Sequence, residues 1–158
     1  MNNIDLFQVV RRGDIGQFND VFQVDDIDIE NEFGQNLLHE AIASKKYSIA
    51  EKLISLGIDV NHQDNNGQTP LHYSAIHGDR KVAKIILENR GMLDIEDKYG
   101  NEPLWHAVFN ARGKYDMVNL FMSGIPDVNH KNKNGKSPLD FARQIKDHHM
   151  VSLLTRGI

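Results

Sequence analysis

The 158-residue chain contains no cysteine. That excludes disulfides, thiolate zinc sites and cysteine nucleophiles, and it fits a reducing, cytoplasmic setting. No apolar run approaches the ~18 residues of a membrane span, so no membrane is expected. The opening Met1-Asn2-Asn3-Ile4-Asp5 has neither the basic stretch nor the apolar core of a secretory signal. No HExxH, calcium loop, phosphate-binding glycine loop or G-x-S-x-G elbow occurs. The net charge of −4 argues against a nucleic-acid partner. Proline is scarce at 4 residues, yet Pro70, Pro103 and Pro138 fall at equivalent places in a recurring pattern.

That pattern centres on Asp64-Asn65-Asn66-Gly67-Gln68-Thr69-Pro70-Leu71-His72. Gly34, Gly67, Gly100 and Gly135 lie 33, 33 and 35 residues apart. Each is followed by a helix opener: Asn36-Leu37-Leu38-His39, Thr69-Pro70-Leu71-His72, Glu102-Pro103-Leu104-Trp105 and Ser137-Pro138-Leu139-Asp140. Asp, Asn and Gly supply turn chemistry, with the glycine free to take a positive φ. Thr69 suits a helix N-cap, and Pro70 suits the first helical position. Gly78 can end that helix and Asp79 can start the next. Val82, Ala83, Ile85, Ile86 and Leu87 then give the second helix an apolar face. One such unit cannot bury its apolar faces alone, so neighbours must stack.

A period near 33 residues with this opener resembles the ankyrin repeat. The resemblance covers nearly the whole chain. It implies an all-α solenoid of stacked helix-turn-helix units with projecting β-turn loops. A single domain, 1–158, is expected, with repeats near 1–30, 31–63, 64–96, 97–131 and 132–158. The first repeat starts near Ile4 without a turn glycine. Gln8, Arg11, Arg12, Asn19 and Asp20 are expected to cover its open side, and Asp140, Arg143, Gln144, Asp147 and His148 to cover the other end. Lys45 takes the slot of Gly78, and Arg90 that of Gly57, which predicts a different helix end in the third repeat. The fourth repeat departs most. Glu102 is a weak cap, Trp105 replaces the histidine, and two extra residues fall within Asn110–Asp116.

Charge is uneven along the chain. Residues 1–66 hold 5 basic and 12 acidic residues, net −7, whereas residues 67–158 hold 13 and 10, net +3. In a quasi-linear stack these become two electrostatically different ends.

The resemblance implies a non-catalytic module that binds a partner protein through its turns and first helices, without cofactor or metal, and that is monomeric alone. His39 and His72 are expected to hydrogen-bond turn backbone rather than to hold a metal. The residues expected at the partner surface are Glu32, Phe33, Asn65, Asn66, Gln68, Ile76, His77, Lys98, Tyr99, Asn101, Phe109, Asn110, Arg112, Lys133 and Lys136. Phe33, Tyr99 and Phe109 stand out among them as large rings. Arg11 and Ser152 are expected on the far side. Short length suggests a stand-alone binder, an inhibitor or an immunity- or antitoxin-like protein. Two other classes compete: a metal-dependent enzyme using surface His and Asp, and a self-associating scaffold subunit.

Overall fold

Four turns are tied in the same way. Asn31, Asp64, Asp97 and Asn132 each present Oδ1 to two backbone N–H groups, two and four residues on. For Asp64 these are Asn66 at 2.8 Å and Gln68 at 2.9 Å; for Asp97 they are Tyr99 at 2.8 Å and Asn101 at 3.0 Å. The glycine of each turn has a positive φ, 73° at Gly67. The short polar side chain thus replaces missing backbone partners and holds the turn closed.

The computed structural model describes residues 5–156. The expected start of the first repeat near Ile4, and the chain end at Ile158, lie outside those residues. Five helix pairs follow in order: α1 (Leu6–Arg12) with α2 (Ile15–Val21), α3 (Leu37–Ala43) with α4 (Tyr47–Ser55), α5 (Pro70–His77) with α6 (Arg80–Glu88), α7 (Pro103–Asn110) with α8 (Asp116–Met122), and α9 (Pro138–Gln144) with α10 (His148–Leu154). Among the described residues the only bridge outside helices is Glu30 with Asn36. The acidic run becomes a short 3-10 turn, Val24–Asp28. The chain is an all-α ankyrin solenoid.

First helices pack in one row, α1 on α3, α3 on α5, α5 on α7 and α7 on α9, and second helices in another. Between the rows runs one core, in which Leu38, Leu71, Leu104 and Leu139 repeat the same slot. Helix starts follow the expected chemistry. Asn36, Thr69 and Ser137 form reciprocal capping boxes with His39, His72 and Asp140. Glu102 makes no capping hydrogen bond.

The bends show which substitutions the geometry accepts. Lys45 stands where Gly78 does and takes a left-handed φ of 57°. Arg90 takes the left-handed role of Gly57, at φ 68°. The helix end in the third repeat therefore matches that of the second, which corrects the expectation of a different one. Gly91 N–H donates to Ile86 O at 2.8 Å, and Ile58 N–H donates to Leu53 O at 3.2 Å, the same closure 33 residues earlier. Gly91 serves another purpose, since a Cβ there would meet Ile86 Cγ2 at 2.5 Å.

At the first end, Gln8, Arg11, Arg12, Asn19 and Asp20 are exposed. Arg11, however, is not on the far side. Its guanidinium forms two 3.0 Å bonds to Glu40 on α3, so it belongs to the first-helix row. The contact crosses to the next repeat, which sequence spacing within one helix does not reveal.

Candidate functional site

The turn tips form a backbone ladder. Asn65 N–H donates to Phe33 O at 2.9 Å, Lys98 N–H to Asn66 O at 2.8 Å, and Lys133 N–H to Tyr99 O at 2.9 Å. Beneath it runs a histidine ladder. His39 Nε2 lies 3.0 Å from Gln68 O, and His72 Nε2 lies 2.9 Å from Asn101 O. Thr69 N–H points at His72 Nδ1 at 3.0 Å. A backbone N–H can only donate, so Nδ1 accepts and Nε2 carries the proton to Asn101. Burial lowers both histidines to about 4, outweighing the backbone hydrogen bonds that favour the charged form.

Trp105 cannot extend that ladder, and the next residue, His106, ties the turn of its own repeat. His106 Nε2 lies 2.8 Å from Asp97 Oδ2, matching Tyr73, whose hydroxyl donates to Asp64 Oδ2 at 2.9 Å. Burial pushes Asp97 up, but hydrogen bonds from His106 and from two backbone amides win and hold it at about 2. His72, Asp97 and His106 place ligand atoms within 4.8 Å of one another, the one such group among the described residues. It is a poor metal site. His72 Nε2 carries a proton, and its lone pair at Nδ1 is occupied by Thr69 N–H.

The expected partner residues separate into three groups. Glu32, Phe33, Asn65, Asn66, Lys98, Tyr99, Lys133 and Lys136 are exposed at the turns, and Ile76, His77, Phe109 and Arg112 are exposed at or just beyond the ends of first helices. Gln68 and Asn110 are half-buried. Asn101 is buried, which corrects its expected surface placement: its carbonyl receives His72 and its side-chain oxygen accepts from Asn132 Nδ2 at 2.8 Å. Lys98 and Lys133 also brace neighbours. Lys98 Nζ donates to Asn66 Oδ1 at 2.7 Å and sits 4.9 Å from the Tyr99 ring centre. Lys133 Nζ donates to Lys98 O at 2.6 Å.

Phe33 is 59% exposed, and Tyr99 and Phe109 are 55% exposed, so none of the three rings is consumed by packing on an adjacent turn. Phe109 is not isolated. Its ring centre lies 5.3 Å from that of Phe141, which lies 5.7 Å from Trp105. Ile145, 50% exposed, follows Phe141 by one helical turn. Trp105 and Phe141 were not assigned to the surface from sequence. Their signal was the i, i+4 spacing of Trp105 with Phe109 and of Phe141 with Ile145, which puts each pair on one side of α7 and α9. The two-residue insertion closes just beyond, where Tyr115 Oη donates to Asp147 at 3.0 Å.

Along this face the character changes steadily. Arg11 and Glu40 are paired at one end, where burial pushes the Glu40 carboxyl up but hydrogen bonds from Arg11 and Ser44 hold it below the ordinary value. Ile76 and His77 occupy the middle, and the aromatic group fills the other end. No helix among the described residues is long and apolar enough to cross a membrane.

The profile of ankyrin repeats (three copies) matches residues 6–98 and 38–132. The chain is 30% identical over 120 residues to the nuclear factor NF-kappa-B p105 subunit of Gallus gallus, covering 73% of this chain and 12% of that protein. It is 32% identical over 113 residues to the putative ankyrin repeat protein FPV024 of fowlpox virus, covering 70% and 19%. It is 27% identical over 139 residues to the putative ankyrin repeat protein L371 of Acanthamoeba polyphaga mimivirus, covering 84% and 18%. The chain thus spans less than a quarter of the length of each of these three relatives. Ankyrin repeats are in general protein–protein interaction modules. Turn, histidine ladder and profile agree across the stack, and the chain belongs to the ankyrin repeat family.

Proposed function

We propose that the protein is a non-catalytic module that receives a segment of a partner protein across its turn tips and first helices, with the main anchor in the fourth and fifth repeats. The observation that carries this reading is an aromatic group in which exposed Phe109 stands beside half-buried Phe141 and Trp105, continued by exposed Ile145. Isolated exposed apolar residues need no explanation, but clustered rings on a stiff scaffold are what interface anchors are made of. Tyr99 adds a second exposed ring at the tip of the same repeat.

Electrostatics supports a defined orientation. Glu32 lies at the acidic end of the tip row, and Lys98, Lys133 and Lys136 at the other. A partner of opposite polarity would be steered into register by that field. Such occupancy, by masking the partner's own surface, makes inhibition the simplest consequence. A reducing, cytoplasmic setting suits a chain without cysteine.

The test is paired co-purification from the native source, using wild type, Phe109→Ala, Tyr99→Ala and, as controls on second helices, Glu51→Ala and Ser152→Ala. Each variant is first shown to be folded by circular dichroism. The expected result is one species retained by wild type and both controls and lost by the aromatic variants, each of which weakens binding by about 2 kcal/mol. A species lost by the controls but kept by Phe109→Ala and Tyr99→Ala would move the site elsewhere.

A further inference from the structure

One cleft of the molecule is lined by none of Phe109, Trp105 and Phe141. The loops that leave α6 and α8 enclose a cleft of about 430 Å³, with Glu102 lining it. Its apolar lining comes from Leu87, Leu93 and Pro126, and its rim carries exposed Asp94 and Asp127. No Lys or Arg lines it.

Glu102 distinguishes this cleft from an ordinary acidic surface. The residue is 7% exposed, yet among the described residues its carboxylate receives no hydrogen bond. The nearest cationic candidate is His130 Nδ1, at 3.5 Å. His130 is shared: its Nε2 faces Gly100 O at 3.2 Å and Glu96 at 3.1 Å, both closer than Glu102 is to Nδ1. The carboxylate opens onto the cleft, and a carboxylate so confined and without a hydrogen-bond donor pairs with a cation when one can enter. Burial, followed by the nearby carboxylates of Asp127, Asp94 and Glu96, pushes the Glu102 carboxyl up against the opposing effect of His130.

We propose that this cleft receives a guanidinium carried on an aliphatic stem, the side chain of an arginine in a partner segment. Three features select that chemistry. Glu102, Asp94 and Asp127 do not bring three ligand atoms within 4.8 Å of one another, a spacing wrong for one metal ion. A planar guanidinium, with five donors in a fork, can bridge carboxylates that a point charge cannot. Leu87, Leu93 and Pro126 offer the methylene stem an apolar wall. The cleft also sits at the C-terminal end of α6, where the helix dipole favours a cation. Since Asp94, Ser123, Ile125 and Asp127 are exposed, the backbone bearing the arginine can remain in solvent. This assignment does not depend on the aromatic surface, so either can fail alone.

The test is a titration of the ¹⁵N-labelled chain with acetyl-Gly-Arg-Gly-amide, read from backbone amide shifts. Saturable shifts are expected at Gly91, Asp94, Gly124 and Asp127. The citrulline peptide, with the same stem and no charge, should bind at least tenfold more weakly. Glu102→Gln and the exposed Asp127→Asn should each weaken the arginine peptide at least tenfold while circular dichroism stays unchanged. Equal shifts with citrulline, or no saturable shift at these amides, would overturn the proposal. Calcium chloride producing the same saturable shifts would replace it with a metal site. Agmatine binding at least tenfold more tightly than the peptide would overturn the assignment to a chain-borne arginine.

Discussion

Single positions in this stack are constrained by a backbone one repeat away. Gly67 has φ 73°, and a Cβ built there would lie 3.1 Å from Lys98 N and 3.2 Å from the Asp97 carbonyl carbon. A β-branched side chain both resists the left-handed region and pushes on the next turn. Gly67→Val should therefore destabilise by about 2 kcal/mol, combining the backbone cost with the displaced turn. Urea unfolding measures it; a midpoint equal to wild type would mean the turn tolerates another geometry. Ile125 presents the reverse case. It holds φ 53° although it is β-branched, and it is 88% exposed, so packing returns little for the strain. Asparagine tolerates that region through its short polar side chain. Ile125→Asn should stabilise by about 1 kcal/mol, within the cost of a left-handed L-residue. Thermal unfolding should show a raised midpoint, and a lowered one would imply that Ile125 packs more tightly than its exposure indicates.

Between helices, the histidine ladder joins adjacent repeats and couples the stack to pH. His39 and His72 are held neutral at about 4 by burial, against an ordinary value of 6.5. Their contribution is fully present above pH 6.5, where both states are neutral. Below it the unfolded chain takes up protons that the folded chain refuses. Stability should fall by about 1.4 kcal/mol per pH unit for each histidine between pH 6.5 and 4. Urea midpoints measured from pH 7 to 5 should drop, and the fall should flatten in a His72→Gln variant that remains folded at pH 7. A pH-independent midpoint in wild type would remove the ladder from this role. The ladder also marks how far sequence carried the reading. Period, turn glycine and opener placed His39 and His72 correctly because each repeat contains its own turn signal. The Arg11 pair with Glu40 and the burial of Asn101 were not legible, because each depends on side chains 29 or more residues away. Trp105 looked like the loss of a ladder residue. The structure shows that His106 makes the equivalent of the Tyr73 bond, while Trp105, in the ladder slot, stands beside Phe141 and its neighbour Phe109. Exposure of Phe33, Tyr99 and Phe109 followed from their slots, whereas the cleft beside Glu102 needed two loops from different repeats to come together.

Among the described residues, the main contacts between repeats join first helices to first helices and second helices to second helices of neighbouring repeats. Stability in such a stack is a sum of unit terms and nearest-neighbour interfaces, so a repeat with one neighbour lacks one interface. The two ends should not be equally weak. At the first end α2 buries only Phe18, whereas α4 buries Ile49, Ala50, Leu53 and Ile54. At the other end α10 buries Met150, Leu153 and Leu154, and its cap Asp147 is also held by Tyr115 of the fourth repeat. The last repeat is thus tied to its neighbour by core and by hydrogen bond, while α2 has one fully buried side chain, Phe18, helped by half-buried Val21. Native-state hydrogen exchange should resolve this as a gradient: amides of α2 open first, those of α10 later, and those of α5 and α6 only near global unfolding. Phe18→Ala should cost about 3 kcal/mol and release the α1–α2 pair while leaving protection in α5 and α7 near wild type. Loss of protection across the entire chain in that variant would show one cooperative unit rather than a stack of coupled ones.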